Sequence, residues 1–141
     1  MDGFRFSVGI DVRFRDLDAL GHVNNAVYLT YFETARMEFW RHVNDRVDLS
    51  GMDMILARAE VDYRSPLVYG DRIDVGVRGV SVRRTSFVLA QAIVHRPSGR
   101  LVAEARKVLV HYDYRAGTKK ALPEDLRQRL MRQDPDLVIE V

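Results

Sequence analysis

The start of the chain alternates apolar and polar residues. Apolar side chains occupy every second position from Phe4 to Phe14, and mainly polar residues fill the positions between them. A period of two residues is typical of a β-strand with one buried and one solvated face. The pattern therefore predicts a long half-buried strand that includes Phe14.

A different period begins after a turn-forming segment that contains Gly21, Asn24 and Asn25. Apolar residues then recur at intervals of three and four, which places them on one face of a helix. The members of this stripe are Tyr28, Phe32, Ala35, Phe39 and Val43. We predict a helix over residues 26–44, about 28 Å long at about 1.5 Å per residue, with Asn25 as a candidate N-cap.

Four further strands and a short helix follow. Alternation and turn signals predict strands over residues 57–64, 73–82, 87–94 and 101–114. The apolar positions change parity at Gly79, which indicates a bulge or bend there. Pro123 then starts a short helix. This order of elements predicts one α+β domain over residues 1–141 with an antiparallel sheet.

Two of these strands contain segments that are apolar at consecutive positions, residues 87–90 and 108–110. Such runs indicate strands that are covered on both faces. One long helix can cover only one face of the sheet, so the other face needs a second partner. We therefore predict a homo-oligomer, with the sheet or its edge in the interface.

Composition removes several classes of chemistry. Of the 141 residues, 47% are hydrophobic and 30% are charged, which is the range of an ordinary globular domain. The chain contains no cysteine. This excludes a disulfide scaffold, a thiolate metal site and a cysteine nucleophile.

The charges nearly balance, since 22 Lys and Arg against 20 Asp and Glu leave a net charge of +2. Residues 115–132 are basic, which suits an anionic partner but is also typical of a solvated helix face. No strand interleaves aromatic and basic residues, so we expect no nucleic-acid partner. The N-terminal segment has no unbroken apolar run, so we expect a cytoplasmic protein without a membrane partner.

The candidate chemistry is concentrated between the first strand and the long helix. Asp16, Asp18, His22, Asn24 and Asn25 lie within ten residues there. A helix start offers unpaired N–H groups and a partial positive charge, which favour an ionised carboxylate and a developing oxyanion. Asp and Asn are also ordinary loop and cap residues, so a purely structural loop is an equal alternative. The spacing matches no metal-ligand set, phosphate loop or serine-nucleophile motif, so we expect no metal.

Residues 14–36, FRDLDALGHVNNAVYLTYFETAR, resemble the opening motif of hotdog-fold acyl-CoA thioesterases of the hydroxybenzoyl-CoA thioesterase type. The likeness continues through residues 61–66, 69–71 and 84–87. It implies a long central helix wrapped by a curved antiparallel sheet of about five strands, assembled as dimers or tetramers. It also implies hydrolysis of an acyl-CoA, in which coenzyme A is part of the substrate and no separate cofactor takes part.

The family's catalytic carboxylate corresponds to Asp18. By this resemblance Asp18 is the nucleophile or the general base, and the backbone N–H groups of residues 23–25 (Val23, Asn24 and Asn25) stabilise the oxyanion. Asp16 is expected to order the loop or to pair with an arginine such as Arg36.

His22 has a second parallel in plant acyl-carrier-protein thioesterases, which carry a D-x-N-x-H-V-N-N run. This chain matches the Asp and the His of that run but has Leu20 in place of its first Asn. His22 is therefore a candidate to orient substrate or water, with a structural hydrogen bond as the alternative. Asn25 is a candidate contact to the substrate carbonyl, and Tyr28 either lines the site or belongs to the core.

Arg83, Arg84 and the basic segment are candidates to bind the phosphates of coenzyme A, because the arginine fork matches phosphate. Ser86 is expected to touch the substrate across a subunit boundary, with an ordinary serine on a strand face as the alternative. Two other functions stay open, an acyl-carrier-protein thioesterase and a non-catalytic protein that binds acyl thioesters. A hotdog dehydratase is disfavoured because no His and carboxylate pair lies within the helix.

Overall fold

An antiparallel sheet curves around one long helix in the computed structural model, which describes residues 1–49 and 51–140. The sheet has seven strands, of which five follow the order β1-β3-β4-β5-β2, while β6 pairs with β5 and β7 runs parallel to β3. The elements are β1 (Phe6–Asp11), a 3-10 turn (Phe14–Asp16), α1 (Asn25–Asn44), β2 (Met54–Tyr63), β3 (Arg72–Val82), β4 (Ser86–His95), β5 (Leu101–Asp113), β6 (Thr118–Lys119), α2 (Glu124–Gln133) and β7 (Val138–Ile139). This confirms the predicted α+β class and its long central helix.

Helix α1 lies along the concave face of the sheet and carries much of the core. Phe32 and Ala35 are fully buried on the face that the apolar stripe predicted. The Gln91 side-chain amide on β4 donates a hydrogen bond of 2.8 Å to the carbonyl oxygen of Phe32, in the buried interior. The helix starts one residue earlier than predicted, because the side chain of Asn24, not Asn25, accepts a hydrogen bond of 2.8 Å from the backbone N–H of Ala26.

The first strand is shorter than predicted. It ends at Asp11, and Phe14 lies in the 3-10 turn with 76% of its surface exposed. The chain leaves the sheet here because the Asp16 carboxylate accepts a hydrogen bond of 3.0 Å from the backbone N–H of Arg13 and closes the turn. The expectation that Phe14 continues the buried face is therefore wrong.

The bulge predicted near Gly79 is confirmed. The pairing of β3 with β4 shifts between Gly79 and Ser81. A Cβ at Gly79 would lie 2.7 Å from a methyl group of Leu137, so the Leu137 side chain would have to shift to admit any other residue there. A second bulge lies between Leu56 and Arg58 in β2, where no glycine or proline indicates it in the sequence.

Strand β2 forms one edge of the sheet and is exposed along most of its length. Within the described part of the chain, no strand pairs with its outer side. Residues on the convex face, among them Val88 and Val108, are only half-buried. The convex face is therefore the apolar surface for which the sequence analysis predicts cover by a second copy. No helix among the described residues is long and apolar enough to cross a membrane.

Candidate active site

Residues 16–25 form a tight loop before α1, which we call the motif loop. The backbone N–H of Asp18 donates to the carbonyl oxygen of His22 at 2.9 Å, and the N–H of Gly21 donates to the carbonyl oxygen of Asp18 at 3.1 Å. Gly21 has a φ of +84°, a left-handed conformation that glycine adopts at little cost. These bonds place Asp18 and His22 opposite each other across the loop.

The Asp18 carboxylate is exposed and half-engaged. Its Oδ1 accepts a hydrogen bond of 2.9 Å from the backbone N–H of Leu20, whereas Oδ2 has no partner among the described residues. The His22 ring is also exposed, and no hydrogen bond in the described part of the chain joins it to the loop or to Asp18. The carboxylate is thus oriented by one oxygen and open to a ligand or water through the other.

Asp16 is buried beneath the loop and anchors it. It accepts hydrogen bonds from the Arg13 guanidinium at 2.9 Å and from the Tyr31 hydroxyl at 2.7 Å. Burial alone raises the pKa of Asp16, but these hydrogen bonds outweigh it and hold the pKa below the ordinary 3.8. The prediction that Asp16 pairs with Arg36 is wrong. Asp16 pairs instead with Arg13, three residues earlier, on the turn that the carboxylate closes.

The amides at the helix start are not equally available. The N–H of Val23 donates to the carbonyl oxygen of Leu67 at 2.9 Å, and the N–H of Asn24 donates to that of Asp16 at 3.0 Å. The N–H of Asn25 has no acceptor among the described residues. The expectation of an oxyanion site made by all three amides is therefore narrowed to Asn25, where it stays a prediction.

Tyr28 lies behind the motif loop, in the core. Its ring is 3% exposed and packs edge-on against Tyr63 with the ring centroids 5.2 Å apart. Burial raises the pKa of the Tyr28 hydroxyl. The hydroxyl of Tyr63 in turn donates to the carbonyl oxygen of Asn25 at 3.0 Å, so this aromatic pair supports the first turn of the helix.

Large apolar side chains are exposed in the motif loop and next to it in the sequence. Phe14 packs edge-on against Tyr69 at 5.9 Å, and Leu20 is 82% exposed at the tip of the loop. Exposed apolar side chains of this kind are typical of a surface that a ligand or another subunit covers. We did not predict a role for Phe14 because its parity placed it in the core.

Arg84 and Ser86 lie at the opposite end of the sheet from the motif loop. The motif loop lies near the end of β2 that carries Tyr63, because the Tyr63 hydroxyl bonds to Asn25. Tyr63 pairs with Ala103 on β5, and Ala103 pairs in turn with Ile93 on β4. Ser86 is seven residues further along β4, roughly 24 Å at about 3.4 Å per residue. Within one chain, therefore, neither Ser86 nor Arg84 lies near Asp18.

Comparison with known proteins decides the family. Residues 12–130 match the family described as the thioesterase-like superfamily. The chain belongs to this superfamily. Thioester hydrolysis is therefore the class of reaction to which this thioesterase-like protein is assigned.

Named relatives and a solved structure agree with this membership. Long-chain acyl-CoA thioesterase FadM from Escherichia coli (strain K12) is 29% identical over 123 residues, 86% of this chain and 93% of the relative. Acyl-acyl carrier protein thioesterase ATL3 from Arabidopsis thaliana is 31% identical over 135 residues, 90% of this chain and 70% of the relative. A thioesterase from Thermus thermophilus, crystallised with coenzyme A and Zn, superposes with a TM-score of 0.86 at 40% identity and covers 96% of this chain and 98% of its own.

The Thermus structure contains zinc, so we searched the described residues of this thioesterase-like protein for a possible metal site. Protein zinc sites use three or four side chains from His, Cys, Asp and Glu. Across residues 1–49 and 51–140, no three such side chains lie close enough together to hold a metal ion. Asp18 and His22 alone fall short of such a set.

Proposed function

We propose that this protein hydrolyses acyl-CoA thioesters and that Asp18 carries the reaction. The observation that supports this most directly is the Asp18 carboxylate itself. One of its oxygens accepts a hydrogen bond from the backbone N–H of Leu20, and the other has no partner among the described residues, in the loop that leads into α1. A carboxylate fixed in this way can meet a thioester carbonyl without first losing a protein partner.

Two mechanisms use this geometry. As a nucleophile, the free oxygen of Asp18 bonds to the carbonyl carbon, the C–S bond breaks, and water then cleaves the resulting anhydride. As a general base, Asp18 takes a proton from water while the water oxygen attacks, and returns the proton to the departing thiolate. In both, the unpaired N–H of Asn25 faces the developing oxyanion, and the unengaged ring of His22 orients the water or the substrate.

The proposal extends to a dimer that pairs through β2. This strand is an exposed sheet edge, and an unpaired edge is a ready site for another strand. In a twofold pairing the two β2 strands run antiparallel, so the partner's sheet is turned end for end. The partner's Arg84 and Ser86 then lie at the end of the combined sheet that carries Asp18.

This arrangement gives the two distant residues a role that one chain does not allow. Among the described residues, no acidic side chain pairs with Arg84, so its guanidinium is available to a phosphate of coenzyme A. Ser86 is half-buried on the face opposite Phe87 and becomes a contact across the subunit boundary. A tetramer follows if the convex faces of two dimers also pack together.

A panel of thioesters tests the proposed reaction. Release of free thiol is measured for the full chain with acetyl-, octanoyl-, palmitoyl- and benzoyl-CoA, and with octanoyl attached to acyl-carrier protein. We expect turnover of at least one acyl-CoA. Binding of coenzyme A derivatives with no thiol released from any substrate would contradict the proposal and support a non-catalytic binding protein.

Acyl-carrier-protein thioesters are the second candidate substrate. The specific observation that favours them is the 31% identity to the Arabidopsis acyl-carrier-protein thioesterase. Thiol release from the carrier protein alone, without turnover of any acyl-CoA, would support this second candidate over the first. The cytoplasmic location expected from the sequence stays a prediction.

A further inference from the structure

The loop that connects β2 to β3, residues 64–71, packs beside the motif loop, and we call it the β2–β3 loop. Leu67 in this loop is fully buried, and its carbonyl oxygen accepts a hydrogen bond of 2.9 Å from the backbone N–H of Val23. The ring of Tyr69 contacts that of Phe14, which precedes the motif loop in the sequence. The motif loop therefore contacts the β2–β3 loop through its backbone, directly before α1.

Asp71 ends the β2–β3 loop and fixes its shape. Its carboxylate Oδ2 accepts a hydrogen bond of 2.9 Å from the backbone N–H of Val68, and its own N–H donates to the carbonyl oxygen of Val68 at 3.2 Å. Gly70 lies between them with a φ of +89°, a left-handed conformation that glycine adopts at little cost. The carboxylate therefore holds the peptide group that joins Leu67 to Val68.

The hydrogen bond between Val23 and Leu67 continues in both directions. The Val23 N–H belongs to the same peptide group as the carbonyl of His22, and that carbonyl accepts a hydrogen bond of 2.9 Å from the backbone N–H of Asp18. On the other side, the Leu67 carbonyl shares its peptide group with the N–H that donates to Asp71. Three hydrogen bonds of 2.9 Å thus run in one direction from Asp18 to the Asp71 carboxylate, through two peptide groups.

This chain of hydrogen bonds links the orientation of the Asp18 backbone to Asp71. A peptide group is planar, so the direction of its N–H fixes the direction of its carbonyl. Hydrogen bonds in a row also polarise one another, which strengthens each by about 10–30%. The last acceptor in the row is a carboxylate, and a hydrogen bond to a charged acceptor is stronger than a neutral one. The carboxylate of Asp71 therefore stabilises the whole row.

His95 on β4 holds the Asp71 carboxylate from the other side. Its Nε2 lies 3.4 Å from Asp71 Oδ1, and the two side chains are only 18% and 17% exposed. An ionised carboxylate only accepts, so it favours a hydrogen on Nε2, and Nδ1 then accepts from the Ser98 hydroxyl at 2.6 Å. The backbone N–H of Arg100 donates to the same Ser98 oxygen at 3.2 Å. Both oxygens of Asp71 thus face a partner, in contrast to those of Asp18.

We propose that Asp71 is a positioning residue for thioester hydrolysis, because it holds the backbone of Asp18 through two peptide groups while His95 holds its carboxylate. The inference rests on the proposed function of Asp18. It concerns the rate of the chemical step and not the binding of substrate. A displacement of about 1 Å can lower the rate of catalysis about 100-fold, so a weakened chain of hydrogen bonds should lower kcat.

Thiol release by the full chain tests the inference, with the acyl-CoA that the wild type hydrolyses fastest. Asp71→Ala removes the acceptor of the Val68 N–H and should lower kcat by about tenfold or more, while KM changes by less than about twofold. Asp71→Asn keeps an acceptor oxygen for this N–H and presents its amide group to His95. Its kcat should therefore return to within about threefold of the wild-type value.

Asp74→Asn is the matched control. Asp74 lies on β3 and accepts a hydrogen bond of 3.1 Å from the Arg96 guanidinium, at the same end of the sheet. Its replacement removes the same kind of charge from a pair outside the chain of hydrogen bonds, so kcat and KM should stay at the wild-type values. Equal losses of kcat in Asp71→Ala and Asp74→Asn would overturn the inference, because they would indicate a general effect of charge.

Amide hydrogen exchange measures the support of the motif loop without any turnover. The N–H groups of Asp18 and Val23 are both donors in the chain, so their exchange should become about tenfold faster or more in Asp71→Ala. The N–H groups of Phe32 and Ala35, in the middle of α1, should keep their wild-type exchange rates. A lower kcat without faster exchange of Val23 would overturn the inference, because the loss would not pass through this chain.

A fully active Asp71→Ala would overturn the inference alone and leave the proposed function intact. A wild type that releases no thiol would overturn the proposed function, and with it the role of Asp71. If Asp71→Ala does not fold, His95→Phe decides, since it keeps a ring and removes both nitrogens. A kcat about threefold lower with faster exchange of Val23 would support the inference, whereas wild-type values of both would overturn it.

Discussion

Replacing Lys107 with methionine should stabilise the protein, because it removes a buried charge and keeps an unbranched side chain of similar length. Burial lowers the pKa of Lys107 from its ordinary 10.5 to about 8. At about 1.4 kcal/mol per pH unit, this difference costs the folded state about 3 kcal/mol at pH 7. The contact with the Phe32 ring returns about 1 kcal/mol. We therefore expect the free energy of unfolding to rise by about 2 kcal/mol.

The stabilisation expected from Lys107→Met depends on pH. Below pH 8 the folded protein holds the lysine proton at a cost that the unfolded chain does not bear. Between pH 8 and pH 10.5 the folded protein has released the proton while the unfolded chain still binds it, so the stability of the wild type rises with pH. The advantage of Lys107→Met should therefore be largest at pH 7 and shrink by more than half at pH 10.

Urea denaturation followed by Trp40 fluorescence measures the difference at both pH values. The protein concentration is held fixed, because dissociation of an oligomer also contributes to stability. Lys119→Met is the control and should differ from the wild type by less than about 0.5 kcal/mol, as an exposed substitution normally does. A methionine variant less stable than the wild type at pH 7, or an equal difference at pH 7 and pH 10, would refute the reasoning.

Three further predictions concern the motif loop, the helix cap and the sheet edge. Asp16→Asn should lower the free energy of unfolding by about 2 kcal/mol at pH 7, because it weakens the hydrogen bonds of the carboxylate. Since the pKa of Asp16 is lowered in the folded state, this loss should become smaller as the pH falls below 3.8, and a urea titration that shows no loss at pH 7 would contradict the prediction. Asn24→Ala should cost about 1 kcal/mol and Asn25→Ala much less, since only the former removes a cap; equal losses would show the cap assignment to be wrong. In sedimentation, the wild type should form dimers or larger assemblies, and Ala59→Asp, in the middle of β2, should shift it toward monomer; a monomeric wild type rules out the dimer.

Local patterns predicted the elements whose cause is local. The 3.6-residue period predicted which face of α1 is buried, and the change of parity at Gly79 predicted the bulge. Both features follow from side chains that are near each other in the sequence. The errors were also local. Asn24 and Asn25 are identical and adjacent, so the pattern does not tell which one caps the helix. Phe14 continues the alternating pattern of the first strand in the sequence, but in the structure the hydrogen bond between Arg13 and the Asp16 carboxylate turns the chain out of the sheet before it.

Residues whose setting depends on distant strands were harder to place. The positions of Arg84 and Ser86 relative to Asp18 follow from the order of the strands and, in the proposed dimer, from a second copy, and the motif contains neither kind of information. Lys107 did carry a signal, since it shares the parity of Ala105 and Leu109, both of which are buried. A charged residue at a core position of a strand is the feature of the sequence that indicates a buried charge.

The most direct test of the central claim compares thiol release by the wild type and by Asp18→Asn at saturating acyl-CoA. The amide keeps the shape of the side chain and its contact with Leu20 but neither attacks a thioester nor accepts a proton from water. We predict that kcat falls roughly 10²–10⁴-fold, while the melting temperature and the rate of the exposed control Asp136→Asn stay at the wild-type level. A fully active Asp18→Asn would contradict the assignment of this carboxylate.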